Sequence, residues 1–315
     1  MLVALSTGAV GIPTLEVLQL VFRSDGTVAS EIVHRLRLPR AVAAFATGGL
    51  LALAGALMQV LLRNPLADPY ILGLSGGAAA AALVAMMAGL NAVLINLSAF
   101  AGASLSVILV FAFARRELGR LHVATAADAT PRLLLTGVVL AAGWSAIITL
   151  ILTVAPEGRL RGMLFWLIGD LGGADSGALA IGGLVFALVV IYPFTRELNV
   201  MLQGQTIAHG LGVPVVRVRR QIYLVASLAT ALAVTAAGAI GFVGLIVPHA
   251  LRLVIGNDQR VLLPASVLAG GSLLLLADTA ARTMIAPQQL PVGVVTALIG
   301  VPMFLYLLMR NGTSR

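Results

Sequence analysis

The chain has 315 residues, of which 60% are hydrophobic and 10% are charged, and its mean hydropathy is +1.05. Soluble domains carry about 25% charged residues, so this composition indicates a polytopic membrane protein and excludes a soluble one. The net charge of +8 comes from arginines that flank apolar segments, which is typical of membrane loops and not of a nucleic-acid surface.

The residue types that are missing exclude several kinds of chemistry. All 20 basic residues are arginine. A Walker A phosphate loop requires lysine, so the chain cannot bind ATP through one of its own. The absence of cysteine excludes disulfides and thiol catalysis. No metalloprotease, hydrolase or paired-carboxylate motif is present, so the sequence predicts a protein that is not an enzyme and holds no cofactor or metal.

Apolar segments predict an all-α polytopic membrane fold with about ten transmembrane helices. The first segment, 2–12, is too short to cross a bilayer, so we expect an interfacial piece or a truncated first helix. Eight later segments are long enough to span, and two shorter ones are expected to be half-helices packed within the protein. The eight are 39–62, 71–90, 93–114, 133–154, 177–195, 221–243, 261–281 and 292–309, and the two are 162–171 and 247–256.

The turn at 59–77 interrupts two apolar runs with an unusually specific set of polar residues. Asn64 and Asp68 each precede a proline, a pattern that ends a helix and favours a turn. Either this is a solvated connection between two spans or it has a role in transport. When the turn is placed on the cytoplasmic side, most arginines also fall inside, as the positive-inside rule expects.

An internal repeat is predicted from a match between the two parts of the chain. Aligning Gly55 with Gly238 also aligns Pro65 with Pro248, and the two copies would run in opposite directions. We therefore predict one permease domain, 1–315, with inverted halves at about 37–154 and 220–310, an architecture typical of transporters. The cytoplasmic segment 196–214 and the helices before it would connect the halves.

Ionisable residues inside the apolar segments are too few for a proton relay. Asp278 and Arg282 are four residues apart, so on a helix they are expected to pair. Without a relay, transport energy must come from a partner protein. The segment 196–214 is the longest non-spanning stretch on the inner side, and it is either a contact for that partner or a plain surface helix.

A series of short motifs follows the chain from about 35 to 310. They are Arg37-Leu-Pro-Arg40, Gly55-Ala-Leu-Met-Gln59, Asn64-Pro-Leu-Ala-Asp-Pro69, Leu72-Gly-Leu-Ser-Gly-Gly-Ala78, the run from Ala237 to His249, Arg260-Val-Leu-Leu-Pro264, Leu276-Ala-Asp278 and Leu290-Pro-Val-Gly-Val-Val-Thr296. In order and spacing, these motifs resemble the FecCD family of permeases, which serve ABC importers of iron chelates, heme and cobalamin. The family usually has ten membrane helices, the first of them complete.

The resemblance implies a type II ABC importer fold and a definite set of partners. These are a second copy of the chain, two ATP-binding subunits, a periplasmic binding protein and the lipid of a Gram-negative inner membrane. A bulky iron chelate is the implied substrate, with heme favoured and a ferric siderophore or cobalamin as alternatives. A channel or carrier that works without an ATPase is the competing class.

The resemblance also assigns roles to individual residues. External arginines would dock carboxylates of the binding protein through bidentate pairing. A second group would couple the permease to the ATPase, and a third would line the cytoplasmic gate. The docking group is Arg37, Arg40 and Arg282, the coupling group is Asn199, Gly204, Ala208, Leu211, Gly212 and Pro214, and the gate group is Asn64, Leu66, Thr130 and Pro131.

Overall fold

The computed structural model describes residues 1–8, 11–22, 26–119, 129–173, 177–285 and 288–312, and those residues contain helices and turns but no strand. The side chains of 72, 114–119, 129–133, 308 and 310–312 lie outside the description. The helices are α1 (Leu2–Ser6), α2 (Thr14–Phe22), α3 (Val28–Glu31), a π-helix (Ile32–Arg37), α4 (Leu38–Leu61), a 3₁₀ turn (Pro69–Leu72), α5 (Leu74–Met87), α6 (Ala92–Gly119), α7 (Ala129–Val154), α8 (Glu157–Ile168), α9 (Gly177–Ile191), a 3₁₀ turn (Tyr192–Phe194), α10 (Thr195–Leu202), α11 (Gln205–Gly210), α12 (Val215–Ala237), α13 (Val243–Ile255), α14 (Gln259–Thr283) and α15 (Val292–Gly312).

Six helices of the described residues are long and apolar enough to cross a membrane, and three further apolar helices are shorter. The continuous helix Val28–Leu61, which contains α4, has 89% of its most apolar stretch buried inside the protein. The corresponding share for Leu134–Val154 in α7 is 11%. Helix α4 is therefore the centre of the bundle and α7 lies at its periphery, and the all-helical, multi-pass prediction is confirmed.

The helix that contains α4 changes its winding just before Pro39. The N–H of Leu38 bonds to the carbonyl of Val33, five residues back, which defines the π-helix. Pro39 has no N–H, so the carbonyl of Arg35 loses its usual α-helical donor and the chain winds more widely there. The regular α-helix begins only at Leu38.

The predicted docking and coupling residues lie at opposite ends of the bundle. Helices α4 and α14 lie against each other and run in opposite directions, so the start of α4 meets the last turns of α14. We call this the arginine end, because Arg37, Arg40 and Arg282 lie there. The coupling end is the opposite one, where α10 meets the start of α14.

Glycines allow the central helices to approach at backbone distance. A Cβ added to Gly48 of α4 would lie 2.2 Å from the carbonyl oxygen of Gly270 in α14. One added to Gly55 would overlap the carbonyl of Gly244 in α13. In lipid, where the hydrophobic effect gives little driving force between helices, such close van der Waals contact is one of the forces that hold helices together.

Some predicted boundaries shift. The segment predicted at 221–243 is α12, which ends at Ala237 because Gly238 adopts a positive φ of 71°. The half-helices predicted at 162–171 and 247–256 occur as α8 and α13, each displaced toward its N-terminus. The inverted halves stay a prediction. The aligned prolines have different surroundings, since Pro65 follows α4 whereas Pro248 lies inside α13.

We expect Gly48→Ala to destabilise the fold, because the new methyl group would overlap the backbone of Gly270. Overpacking of this kind costs about 1–3 kcal/mol. Thermal unfolding of the detergent-solubilised protein measures it. Gly143→Ala in α7 is the matched control, because nothing lies within 4 Å of the added Cβ. Equal melting temperatures for the two variants would contradict the close packing of α4 and α14.

Candidate functional site

Asp278 is the centre of the arginine end. Its side chain is fully buried, and it accepts hydrogen bonds from two arginines on different helices. Arg40 donates from Nε at 3.0 and 3.1 Å and from Nη2 at 2.8 Å, while Arg282 donates from Nε at 3.1 Å. The predicted pair of Asp278 and Arg282 is confirmed. The third member, Arg40, is distant in sequence, and the motif around it gave no sign of this pairing.

Further contacts of the cluster go to backbone and amide oxygens. Arg37 donates to the carbonyl of Leu5 at 2.6 Å, and Arg282 donates to that of Ala4 at 3.3 Å. Both carbonyls belong to the short helix α1, whose last carbonyls have no partner within the helix and attract cations. Arg40 also donates to Oε1 of Gln289 at 3.1 Å. The cluster thus ties α1, α4, α14 and the segment before α15 together.

Arg40 and Arg282 place two guanidinium groups on the single carboxylate of Asp278. Only 12% of the Arg40 side chain and 11% of the Arg282 side chain are exposed. Each guanidinium has five N–H donors, and Arg40 and Arg282 use only part of this set internally. The arrangement can therefore accept a further carboxylate, but the arginines do not project freely into solvent.

Asn199 organises the coupling end. Its Nδ2 donates to Asp258 at 2.7 Å, and its Oδ1 accepts from the N–H of Gln259 at 2.8 Å. Asp258 caps α14 by accepting from the N–H of Arg260. These hydrogen bonds, from Asn199 first and then from Arg260, lower the pKa of Asp258 below its usual value. One amide side chain therefore joins α10 to the first turn of α14.

The other predicted coupling residues shape the segment around α11. Gly204 precedes α11 with a φ of 125°, and Gly212 follows it with a φ of 81°, so both positions favour glycine. Ala208 is buried, whereas Leu211 is 69% exposed. Pro214 immediately precedes α12. The segment is a pair of short helices with an exposed apolar residue at its tip.

The turn after α4 holds two of the predicted gate residues. Asn64 accepts from the N–H of Leu66 at 2.9 Å, which closes a local turn with both residues at or near the surface. Asp68 accepts from the N–H of Tyr70 at 2.7 Å and caps the 3₁₀ turn. Burial raises the pKa of Asp68 to about 6. Thr130 and Pro131 begin α7, and their side chains lie outside the described residues.

A link that sequence reasoning missed runs from this turn to the break after α12. The hydroxyl of Tyr70 accepts from the N–H of Ile240 at 3.2 Å. Ile240 lies in the non-helical stretch between α12 and α13. The polar turn is thus attached to the second broken region of the bundle, through residues far apart in sequence.

A cavity of about 620 Å³ lies between α8, the start of α6 and the end of α12. Its wall combines Phe165 and Trp166 with the charged side chains Arg161 and Asp170. Gln289 also lines it and connects the cavity wall to Arg40. Among the described residues, no cluster of three or more His, Asp or Glu side chains could hold a metal ion.

A family model described as the FecCD transport family matches residues 1–310. The chain belongs to the FecCD transport family. The cobalamin import system permease protein BtuC of Halobacterium salinarum is 44% identical over 283 residues, covering 89% of this chain and 74% of that protein. The vitamin B12 import system permease protein BtuC of Salmonella typhi is 39% identical over 283 residues, covering 89% and 84%.

Solved structures agree with this family membership. An inward-facing conformation of a metal-chelate type ABC transporter has a TM-score of 0.84 and 26% identity, covering 98% of this chain and 94% of that one. PsaBC from Streptococcus pneumoniae has a TM-score of 0.59 and 17% identity, covering 88% and 92%, and shows the fold alone. This FecCD protein is thus a permease of an ABC importer, with the type II importer fold that its motifs imply.

We expect Asp278→Leu to be strongly destabilising, because it leaves two largely buried guanidiniums of the FecCD protein without their carboxylate. Breaking a buried ion pair costs about 3–5 kcal/mol. The free energy of unfolding in mixed micelles tests this. The control is Glu31→Gln, which removes the exposed partner of Arg35 and is expected to cost at most about 1 kcal/mol. Similar losses in both variants would contradict the central role of Asp278.

Proposed function

We propose that this protein is the membrane-spanning subunit of a binding-protein-dependent importer that carries cobalamin or a closely related corrinoid. The observation that carries the proposal is the identity of 44% and 39% with permeases named for cobalamin or vitamin B12 import, over 89% of the chain. The heme preference expected from the sequence has no support in the names of these relatives. A ferric chelate is the second candidate, favoured by the structural similarity to a metal-chelate type transporter.

The working assembly in the proposal is a homodimer with two ATP-binding subunits and one substrate-binding protein in a bacterial inner membrane. The chain has no lysine and so no Walker A motif, which is consistent with ATP hydrolysis on a separate subunit. The segment 196–214 faces that subunit at the coupling end. Its exposed Leu211 and its attachment to α14 through Asn199 support this role.

Docking of the binding protein is assigned to the arginine end. The assigned residues are Arg37, Arg40 and Arg282. Arg40 and Arg282 share the carboxylate of Asp278 and keep N–H donors with which an incoming carboxylate could bond. The gate is assigned to the turn with Asn64 and Leu66, together with Thr130 and Pro131 of α7. The asparagine turn and its link through Tyr70 to the break after α12 support that assignment.

Uptake into proteoliposomes tests the substrate. The permease is reconstituted with its ATP-binding subunit, and cobalamin, heme and a ferric siderophore are presented on the importer's own binding protein. We expect ATP-dependent accumulation of cobalamin and at least tenfold less of the other two. Accumulation of heme alone would overturn the corrinoid assignment and restore heme. Uptake that needs neither ATP nor the binding protein would overturn the importer itself in favour of a channel or carrier.

We expect Arg282→Gln to weaken docking of the binding protein about tenfold, the effect of losing one charge-assisted contact of about 1.4 kcal/mol. Asp278 keeps its three hydrogen bonds from Arg40, so the fold is retained. Surface plasmon resonance with the reconstituted complex measures the affinity. Arg35→Gln is the control, since Arg35 is exposed at the same end and pairs only with Glu31 among the described residues. Unchanged affinity of Arg282→Gln would contradict the docking role.

A further inference from the structure

Helix α14 has a polar attachment at each of its two ends. At its start, Asn199 of α10 bonds to Asp258 and to the N–H of Gln259. Near its end, Asp278 and Arg282 belong to the cluster that also contains Arg40. The helix has 25 residues, so at 1.5 Å per residue it spans about 37 Å, the thickness of a bilayer. One helix therefore connects the arginine end directly to the coupling segment.

The middle of α14 is confined by direct backbone contact with α4. A Cβ added to Gly270 would lie 2.4 Å from the Cβ of Ala52 and 2.6 Å from the carbonyl oxygen of Gly48. One added to Gly271 would lie 2.7 Å from the carbonyl oxygen of Phe45. Backbones this close resist bending and compression of α14 between its ends, because close-packed interiors have low compressibility and transmit strain. A shift of one end is thus passed along the helix.

The contact with α10 is specific enough to transmit such a shift. Asn199 uses both its donor and its acceptor, and both bonds reach the first turn of α14. Helix α10 leads through Gly204 into α11, at the tip of the coupling segment. At the opposite end, a carboxylate that bonds to the remaining N–H groups of Arg40 or Arg282 shares these guanidiniums with Asp278. The interactions that hold the last turns of α14 are weakened as a result.

We propose that α14 transmits docking at the arginine end to the coupling segment, with Asp278 and Asn199 as positioning residues at its two ends. The inference rests on the proposed function, since it assumes that a binding protein docks at the arginine end and that an ATP-binding subunit meets α10 and α11. It adds that one helix carries the displacement from the arginine end to the coupling end, and that Asn199 passes it from α14 to α10.

The first test measures the ATPase activity of the reconstituted importer with and without its cobalamin-loaded binding protein. Asn199→Ala is expected to lower the ratio of stimulated to unstimulated activity at least fivefold. Asn257→Cys is the control, because this neighbouring side chain is exposed and makes no hydrogen bond within the described residues. A stimulation ratio for Asn199→Ala within twofold of the control would overturn the proposal.

The second test locates the step at which the signal is lost. The chain has no cysteine, so single spin labels can be placed at position 257, before α14, or at position 203, after α10. Pulsed electron paramagnetic resonance then measures the distance between the two copies of each label in the homodimer. In the unsubstituted background, docking is expected to shift both distances. With Asn199→Ala, the distance at 257 still shifts and the distance at 203 does not.

The outcomes separate this inference from the proposed function. If the binding protein neither binds nor stimulates the unsubstituted complex, the proposed function fails. If it stimulates that complex and both labels still shift together in Asn199→Ala, only the role of α14 and Asn199 fails. A purely structural role of Asn199 would change the distance at 203 before docking and leave its docking-dependent shift intact, which also overturns the inference.

Discussion

The buried carboxylate of Asp278 is the interaction on which the arrangement of the bundle depends. An unpaired charge in the apolar interior costs several kcal/mol, so Asp278 requires cationic partners within reach. Arg40 and Arg282 supply them from α4 and α14, and this fixes how these two helices align. The arginines in turn attach α1 through its last carbonyls and the segment before α15 through Gln289. One carboxylate thereby gathers four parts of the chain at the end that we assign to docking.

Broken helices impose a second constraint, because non-helical backbone at membrane depth must find partners within the protein. The breaks after α8 and α12 satisfy each other, since the N–H of Asp170 donates to the carbonyl of Ala237 at 2.9 Å. In the break after α12, the N–H of Ile240 also donates to the hydroxyl of Tyr70. Glycines make these approaches possible, as a Cβ at Gly238 would lie 2.1 Å from the carbonyl of Trp166. The irregular segments therefore form one connected region inside the bundle.

These two constraints explain how the bundle is held together while a polar attachment remains at each of its two ends. The helix α14 carries part of the charged cluster at one end and the cap bound by Asn199 at the other. Between them it is held by small residues against the most buried helix of the fold. Among the ionisable residues of the chain, Arg40, Asp258, Asp278 and Arg282 lie at the ends of α4 and α14.

The sequence by itself determined the class of protein, the approximate spans, the pair of Asp278 and Arg282 and, through its motifs, the family. Composition, apolar length and i,i+4 spacing are local properties, so they can be read without coordinates. Tertiary structure alone decided three contacts. Arg40 completes the buried ion cluster, Asn199 donates to Asp258 at the start of α14, and the hydroxyl of Tyr70 accepts from the N–H of Ile240. Each of these contacts joins residues 59 to 238 positions apart. Such pairs leave no periodic signal, because only the packing of whole helices brings them together.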